Sequence, residues 1–465
     1  MKTLNPDILI IGAGPGGYVA AIYAAKQGKS VILVDRRWIG GACLNEGCIP
    51  TKALVKSANL FQDLLHGEDK GITASDIKLD LTKVIDNKNK IKDKLISGIE
   101  YLLKKYEIEV VRGEAKFVNN SEVFVKAEEE LTIKAKDIII ATGSKTKHLP
   151  IKGLDLENVF DSENLLNNEH LPESMTVIGA GIIGMEFAFI YAQMGVKVNV
   201  VEFLPRILPS VEKDVAQRLI RFAKQLNIDI YTSSAVEKIE KTDEGLRVVF
   251  NRKDKEESLI SEFVLEAVGR APQMNGLDLD KTDVEFSEKS GIKVNEYMKT
   301  NVEHIYAIGD VTNIMQLAHV ASHQGMIAVD NILGKEHKMK YEAIPWVIFT
   351  TPTIASVGLT EETCKEKEIE YEMIKTPYSA NGKALILEAE TGFIKVLRNP
   401  ETKAIIGATV FGSEAENLIA SYGIAIENGL KSLELQKTVF AHPTIQELVH
   451  ESALGLDKIA IHYVD

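Results

Sequence analysis

Two stretches of this chain repeat one pattern of apolar and polar positions. Residues 7–35 read DILIIGAGPGGYVAAIYAAKQGKSVILVD, and residues 174–202 read SMTVIGAGIIGMEFAFIYAQMGVKVNVVE. Each opens with a continuous apolar run of strand length, turns through closely spaced glycines, and continues in small and apolar residues long enough for a helix. Each then passes a glycine into a β-branched run that ends on an acid. The order strand, glycine turn, helix, strand is the βαβ unit of a parallel sheet. The copies start about 167 residues apart, far beyond any solenoid period, so the repeat predicts two homologous nucleotide-binding domains.

Between the copies, residues 81–106 are lysine-rich, with Val84, Ile91, Leu95, Ile99 and Leu102 at helical spacing. They predict an amphipathic helix whose charge run is a solvated face. KDIIIATGS (136–144) and VLEAVGRAP (264–272) read as two similar buried strands ending in glycine turns, and HIYAIGDVT (304–312) as a third strand capped by Gly309 and Asp310. From about Tyr341 the pattern becomes alternating strands with two amphipathic helices, a separate α+β domain. The expected fold class is therefore α/β, with two Rossmann-like dinucleotide-binding domains and a C-terminal α+β domain. Its expected segments are 1–147, 148–271, 272–340 and 341–465.

Composition narrows the picture. A chain of 465 residues exceeds one ordinary domain, and a net charge of −13 lacks the basic face that nucleic acid or an anionic membrane would require. Met175 to Ala192 is long enough for a membrane span with Glu186 its only charge, but its glycines are those of the second turn. The N-terminus enters a strand without a leader pattern. Three cysteines without a signal peptide suggest a reducing, cytoplasmic setting, in which a disulfide would be catalytic.

Each G-x-G-x-x-G lies between a strand and a helix, with an acid 18 residues after its last glycine. In that context Gly12 and Gly179 make the tight turn, Gly14 and Gly181 admit a pyrophosphate to the backbone amides, and Gly17 and Gly184 let helix and sheet pack closely. The helix N-terminus offers partial positive charge to the phosphates. Asp35 and Glu202 can each accept from a ribose diol. Glu202 would repel a 2′-phosphate, and Phe203, Leu204 and Pro205 bring no cation before Arg206, so NAD is expected over NADP.

GGACLNEGCIPTK (40–52) sets Cys43 and Cys48 five apart. Spacing alone allows a redox disulfide, half of a metal site, or two packed thiols. Zinc would need further ligands, but no second cysteine pair exists and Cys364 stands alone, so no metal is expected. The location favours redox chemistry, because a helix N-terminus directly after a nucleotide unit stabilises a thiolate.

With GAGPGGYVAA, GGACLNEGCIPTKAL, ATGS, VIGAGIIGMEFA, NEYMKTNVEHIYAIGDVT, TIASVGLTE and AHPTIQE along essentially its whole length, the chain resembles the pyridine nucleotide–disulfide oxidoreductases. Within them it is most similar to the branch that oxidises dihydrolipoyl groups. The resemblance implies FAD on the first domain, contacted by Gly12, Gly14, Gly17, Asp35, Ala115, Thr142, Gly143, Ser144, Asp310 and Ala318. It implies the nicotinamide cofactor on the second, near Gly179, Gly181, Gly184, Glu202, Val236 and Gly269. Lys52 is implied near the isoalloxazine, paired with Glu186. Cys48 becomes the thiol beside the flavin and Cys43 the one that exchanges with substrate.

His442 would take the thiol proton, oriented by Glu447, and would act on the opposite subunit of a homodimer. A lipoyl carrier domain on an acyltransferase core would come in trans, since no such domain is fused here. The rival readings are a glutathione-type reductase, opposed by Glu202, and a mercuric-type reductase, opposed by a C-terminus without paired cysteines. A docking subunit without catalysis is opposed by the intact Cys43, Cys48, His442 and Glu447. Two departures stand out. Glu46 adds a negative charge between the cysteines where relatives more often carry an uncharged residue, which should slightly disfavour thiolates. Trp38 is bulkier than expected before the glycine pair.

Overall fold

The computed structural model describes residues 2–464, which divide into two compact units. The first comprises Met1–Pro150, Glu157–Pro172 and Leu265–Met339. Its centre is a five-stranded parallel sheet in the order Ile305–Ala307, Asp137–Ile140, Ile8–Ile11, Val31–Asp35, Glu109–Arg112. Ile8–Ile11 is apolar at every position because both sheet faces are covered. A four-stranded sheet beside it shares its core through Phe117, Val123 and Ile133. Residues 157–172, expected with the second nucleotide segment, lie in this unit. They are held there by side chains that reach them from far along the chain.

The long helix forms as expected, Leu81–Lys105, with Asp80 capping it through the Lys83 N–H at 3.2 Å. Its buried face differs from the expected one. Leu81, Ile85, Lys88 and Leu103 are buried, while Ile91, Leu95 and Leu102 are exposed. Lys88 is not a solvated charge. Its ammonium donates to Leu166 O at 2.7 Å and Asn167 Oδ1 at 2.8 Å, and burial lowers its pKa to about 8. The two acceptors lie 78 and 79 residues away, so no local periodicity could reveal them.

The second unit comprises Ile151–Leu156, Glu173–Val264 and Lys340–Asp465. Its parallel strands Ser174–Ile178, Lys197–Val201 and Ile228–Tyr231 are followed by an antiparallel three-stranded sheet. The C-terminal segment forms a five-stranded antiparallel sheet covered by the helices Ala415–Glu427 and Glu447–Gly455. Within this unit Lys395 is buried against Glu361 at 2.9 Å, Asp214 at 3.0 Å and Glu212 at 3.3 Å, joining the nucleotide segment to the C-terminal one. The apolar stretch Met175 to Ala192 lies, as expected, in a buried strand and the helix Ile182–Gln193 of the second turn. Among the described residues no helix is long and apolar enough to cross a membrane.

Candidate active site

The two glycine turns have the same construction. A Cβ on Gly12 would lie 2.2 Å from Ala141 O, one on Gly17 would lie 1.7 Å from Gly12 O, and one on Gly184 would lie 2.0 Å from Gly179 O. These glycines are sealed against the protein's own backbone. The middle ones are not: Gly14 would meet only the Gly41 Cα at 3.9 Å, and Gly181 nothing within 4 Å. Gly14 and Gly181 precede the helices Pro15–Lys26 and Ile182–Gln193, whose N-termini have no side-chain cap. Orphan N–H groups beside open space fit a dinucleotide pyrophosphate at both turns.

The terminal acids brace these turns. Asp35 Oδ2 accepts from the Ala13 N–H at 2.6 Å, and Glu202 Oε2 accepts from the Ala180 N–H, also at 2.6 Å. Their second oxygens accept from Arg37 and Trp38 in the first copy and from Leu204 in the second. Each carboxylate oxygen keeps acceptor capacity for a ribose hydroxyl. Arg206, the nearest cation after Glu202, is engaged elsewhere: Nη1 donates to both Glu362 oxygens at 3.1 Å, and Nη2 to Pro209 O at 2.7 Å.

Cys43 sits in the short helix Gly41–Glu46, and Cys48 is the first residue of Cys48–Leu65. Both are thiols, partly exposed, and their side chains are hydrogen-bonded to each other. That bond, and then burial, push the Cys43 thiol up, while the Cys48 backbone amide and the charge of Lys52 favour its thiolate. Tyr18 also faces this turn: burial first, and Cys43 second, raise its hydroxyl pKa. Its position four residues after Gly14 on the loop helix is the one local signal that could have placed it here.

Asp310 is half-buried, and burial raises its pKa against the Ser144 hydroxyl, which donates to Oδ2 at 2.6 Å. Thr142 Oγ1 donates to Gln273 O at 2.6 Å, and Gly143 has φ +70° with open space at its Cβ position. Ala115 is in the hydrophobic core, so only its backbone could meet a ligand. Ala318 begins the helix Ala318–Ile332, and Val236 lies at a β-bulge. Gly269, at φ +107°, has open space where a Cβ would be. Glu186 is buried, and its Oε1 accepts from the Phe349 N–H at 2.9 Å, a contact between two distant segments of the second unit.

His442 and Glu447 come together locally. His442 Nδ1 lies 2.9 Å from Glu447 Oε1, and Glu447 Oε2 accepts from the Thr444 N–H at 2.9 Å. Because a carboxylate only accepts, Nδ1 carries the proton and Nε2 is left as the basic nitrogen. Burial opposes the charge on Glu447, but the Thr444 amide and His442 outweigh it and lower its pKa. The His442 side chain is 79 % exposed, available to a second chain.

Glu163 and Arg270 are site residues that the sequence did not reveal. Arg270 Nη1 and Nη2 each lie 3.2 Å from Glu163 Oε1, and its Nε donates to Ser144 Oγ at 2.8 Å, so it supports the hydroxyl that binds Asp310. Arg270 directly follows Gly269 in the VGRAP turn, and only that adjacency could have pointed to it.

The chain has relatives along nearly its whole length. It is 36 % identical to a dihydrolipoyl dehydrogenase of Bacillus subtilis over 98 % of this chain and 99 % of that one. It is 37 % identical to a Staphylococcus aureus protein of the same name over 99 % and 98 %. Among solved structures, LpdA from Mycobacterium tuberculosis superposes with a TM-score of 0.91 at 25 % identity, covering 98 % of this chain and 100 % of that one. The HOCl-induced flavoprotein disulfide reductase RclA from Escherichia coli gives 0.86 at 28 %, covering 96 % and 99 %. Residues 344–453 match the dimerisation domain of the pyridine nucleotide–disulphide oxidoreductases. With the family's main domain matching residues 6–325 across both glycine turns and the cysteine pair, the chain belongs to the pyridine nucleotide–disulphide oxidoreductases.

Proposed function

We propose that this protein is a homodimeric dihydrolipoyl dehydrogenase. It would oxidise a dihydrolipoyl group to the cyclic disulfide and pass two electrons through Cys43 and Cys48 to FAD and then NAD⁺. The observation that carries the reading is the cysteine pair at a helix start, hydrogen-bonded together, beside the brace of Asp35 and the Gly14 turn. Relatives of near-identical length that bear that name give the substrate.

The turn of Gly12, Gly14 and Gly17, with Asp35, Asp310, Ser144, Thr142, Gly143, Ala115 and Ala318, would hold FAD. The flavin supplies a two-electron carrier between the disulfide and the nicotinamide. Gly179, Gly181, Gly184, Glu202, Val236 and Gly269 would hold NAD. Arg206, bound to Glu362, is poorly placed to neutralise a 2′-phosphate, which favours NAD over NADP. Lys52 and Glu186 would pair beside the isoalloxazine.

In the reaction, Cys43 would form the mixed disulfide with the substrate and Cys48 would be the thiol on the side of a bound flavin. His442 of the partner subunit accepts the dithiol proton at Nε2, and Glu447 holds the tautomer and stabilises the imidazolium. The substrate is a lipoyl-lysine on a separate carrier domain attached to an acyltransferase core, in the cytoplasm. The test compares purified protein in three assays: oxidation of dihydrolipoamide with NAD⁺, the same with NADP⁺, and NADH-dependent reduction of glutathione disulfide. The expected result is activity in the first that exceeds the others by at least about 100-fold. Preference for glutathione disulfide or NADP⁺ would overturn the assignment.

A further inference from the structure

The helix that carries Cys43 ends on Glu46, three residues on. At that spacing the two side chains share a helix face, with Cβ atoms about 5–6 Å apart. The Glu46 side chain is only 12 % exposed. Its Oε1 accepts from Arg37 Nη2 at 3.0 Å, and Arg37 is stacked 3.9 Å over the ring of Trp38. Its Oε2 is buried and, among the described residues, has no hydrogen-bond donor. Glu163 lies against it, with Oε1 accepting from Arg270 and from Thr146 Oγ1 at 3.3 Å, and with Oε2 at 4.0 Å from Arg37 Nη1.

Two carboxylates in this position repel, and one buried oxygen is left unsatisfied. A proton on Glu46 Oε2, donated toward Glu163, removes both costs. Burial, and then Glu163, push the Glu46 carboxyl up to about 7 against the pull of Arg37. From Glu163 the hydrogen bonds continue through Arg270 and Ser144 to Asp310. Three carboxyls thus stand with two guanidiniums, and a single proton makes the group neutral. Titratable groups on neighbouring elements include Cys43 on the same helix, Cys48 and Lys52 on the next, Tyr18 on the helix after the first glycine turn, and Lys88 on the long helix, whose ammonium is held by Leu166 and Asn167.

We infer that Glu46 is a positioning residue for the redox pair: with Glu163 it holds one proton beside Cys43, and it binds that proton more tightly when the cysteines are reduced. The inference rests on the proposed redox role of Cys43 and Cys48. When a dithiol reduces the pair, the Cys43–Cys48 bond breaks and the sulfur–sulfur bond of the reagent forms. Of the two protons the dithiol loses, one stays on a cysteine thiol and the other passes to a base, leaving one thiolate. That new negative charge strengthens the hold of Glu46 on its proton, so near neutral pH a fraction of a proton is taken from water by the Glu46 carboxylate. Glu46 and Trp38 thereby become parts of one device, the ring fixing Arg37 and Arg37 fixing the carboxyl.

The test equilibrates the flavin-loaded protein with mixtures of reduced and oxidised dithiothreitol between pH 6 and 8.5. The reduced fraction of the pair is counted by alkylation and mass. At about 6 Å and an effective dielectric constant of about 20, screened by salt, the thiolate should change the Glu46 proton affinity by about tenfold. The exchange constant of wild type relative to Glu46→Gln should therefore fall about tenfold as pH rises across that range. If Glu46→Gln does not fold, Glu46→Val serves in the same comparison, and Glu163→Gln should flatten the same dependence. A ratio that stays constant with pH would mean Glu46 is only structural and would overturn the inference while leaving the redox pair intact. Failure of Cys43 and Cys48 to exchange at all would overturn both readings.

Discussion

Replacing Gly181 by alanine should weaken NADH binding without disturbing the fold, whereas replacing Gly184 should destabilise the fold itself. Gly181 has φ −74° and ψ −173°, a conformation open to any L-residue, and its Cβ would meet nothing within 4 Å. Neither backbone geometry nor protein packing requires a glycine there. The requirement comes from whatever approaches the helix N-terminus, and a methyl group there would displace a phosphate from its amides. Losing one charge-assisted hydrogen bond costs about 1.5–3 kcal/mol, which weakens binding roughly 10- to 100-fold.

At Gly184 the Cβ would lie 2.0 Å from Gly179 O, where ordinary contact begins at 3.4 Å, so helix and turn must separate by more than 1 Å. Overpacking of that kind costs about 1–3 kcal/mol, a drop of roughly 2–12 °C in melting temperature for a unit of this size. The assays are NADH titration by fluorescence quenching and thermal melting of the purified protein. Wild-type affinity in Gly181→Ala, within a factor of two, would mean that no nucleotide lies on this turn. A melting temperature lowered as far as in Gly184→Ala would make Gly181 structural.

Glu202→Gln with Leu204→Arg should raise NADPH use relative to NADH by about tenfold or more, because a repelling carboxylate is replaced and a free cation supplied. An unchanged ratio in steady-state kinetics would remove Glu202 as the discriminator. Mixed dimers of Cys48→Ser and His442→Gln subunits should recover roughly a quarter of wild-type activity if His442 serves the opposite chain, while each parent stays nearly inactive. Verified subunit exchange without recovery would place the base in its own chain. Lys395→Met should cost about 3–5 kcal/mol in urea unfolding, because Glu361, Asp214 and Glu212 lose their shared cation. Burial opposes the charges of Asp214 and Glu361, but Lys395 leads in lowering both pKa values, so their stabilisation is full above the ordinary carboxylate range and lost as pH falls below about 4. A variant as stable as wild type at pH 7 would contradict the account.

What the sequence disclosed and what it hid differ in the distance over which each feature is built. The glycine turns are legible because backbone collisions dictate residue type over a few positions. Cys43 with Cys48 and His442 with Glu447 are legible because each pair lies within one turn and a helix start. Glu186 was half legible: a charge in an apolar run had to find a partner, but nothing local names the Phe349 amide, 163 residues away. The polar network around Glu46 was hidden, since Arg270 meets Glu163 across 107 residues and Ser144 meets Asp310 across 166. None of those side chains follows a helical or strand period. Lys88 shows the same limit in a helix whose existence was plain: periodicity gives the element, and only the distant acceptor turns a lysine inward. A residue that breaks its local pattern without a local reason therefore indicates a long-range contact. Glu46, a departure from the family pattern, is such a case: it lies against Glu163, more than a hundred residues away, while Trp38 is stacked on the adjacent Arg37.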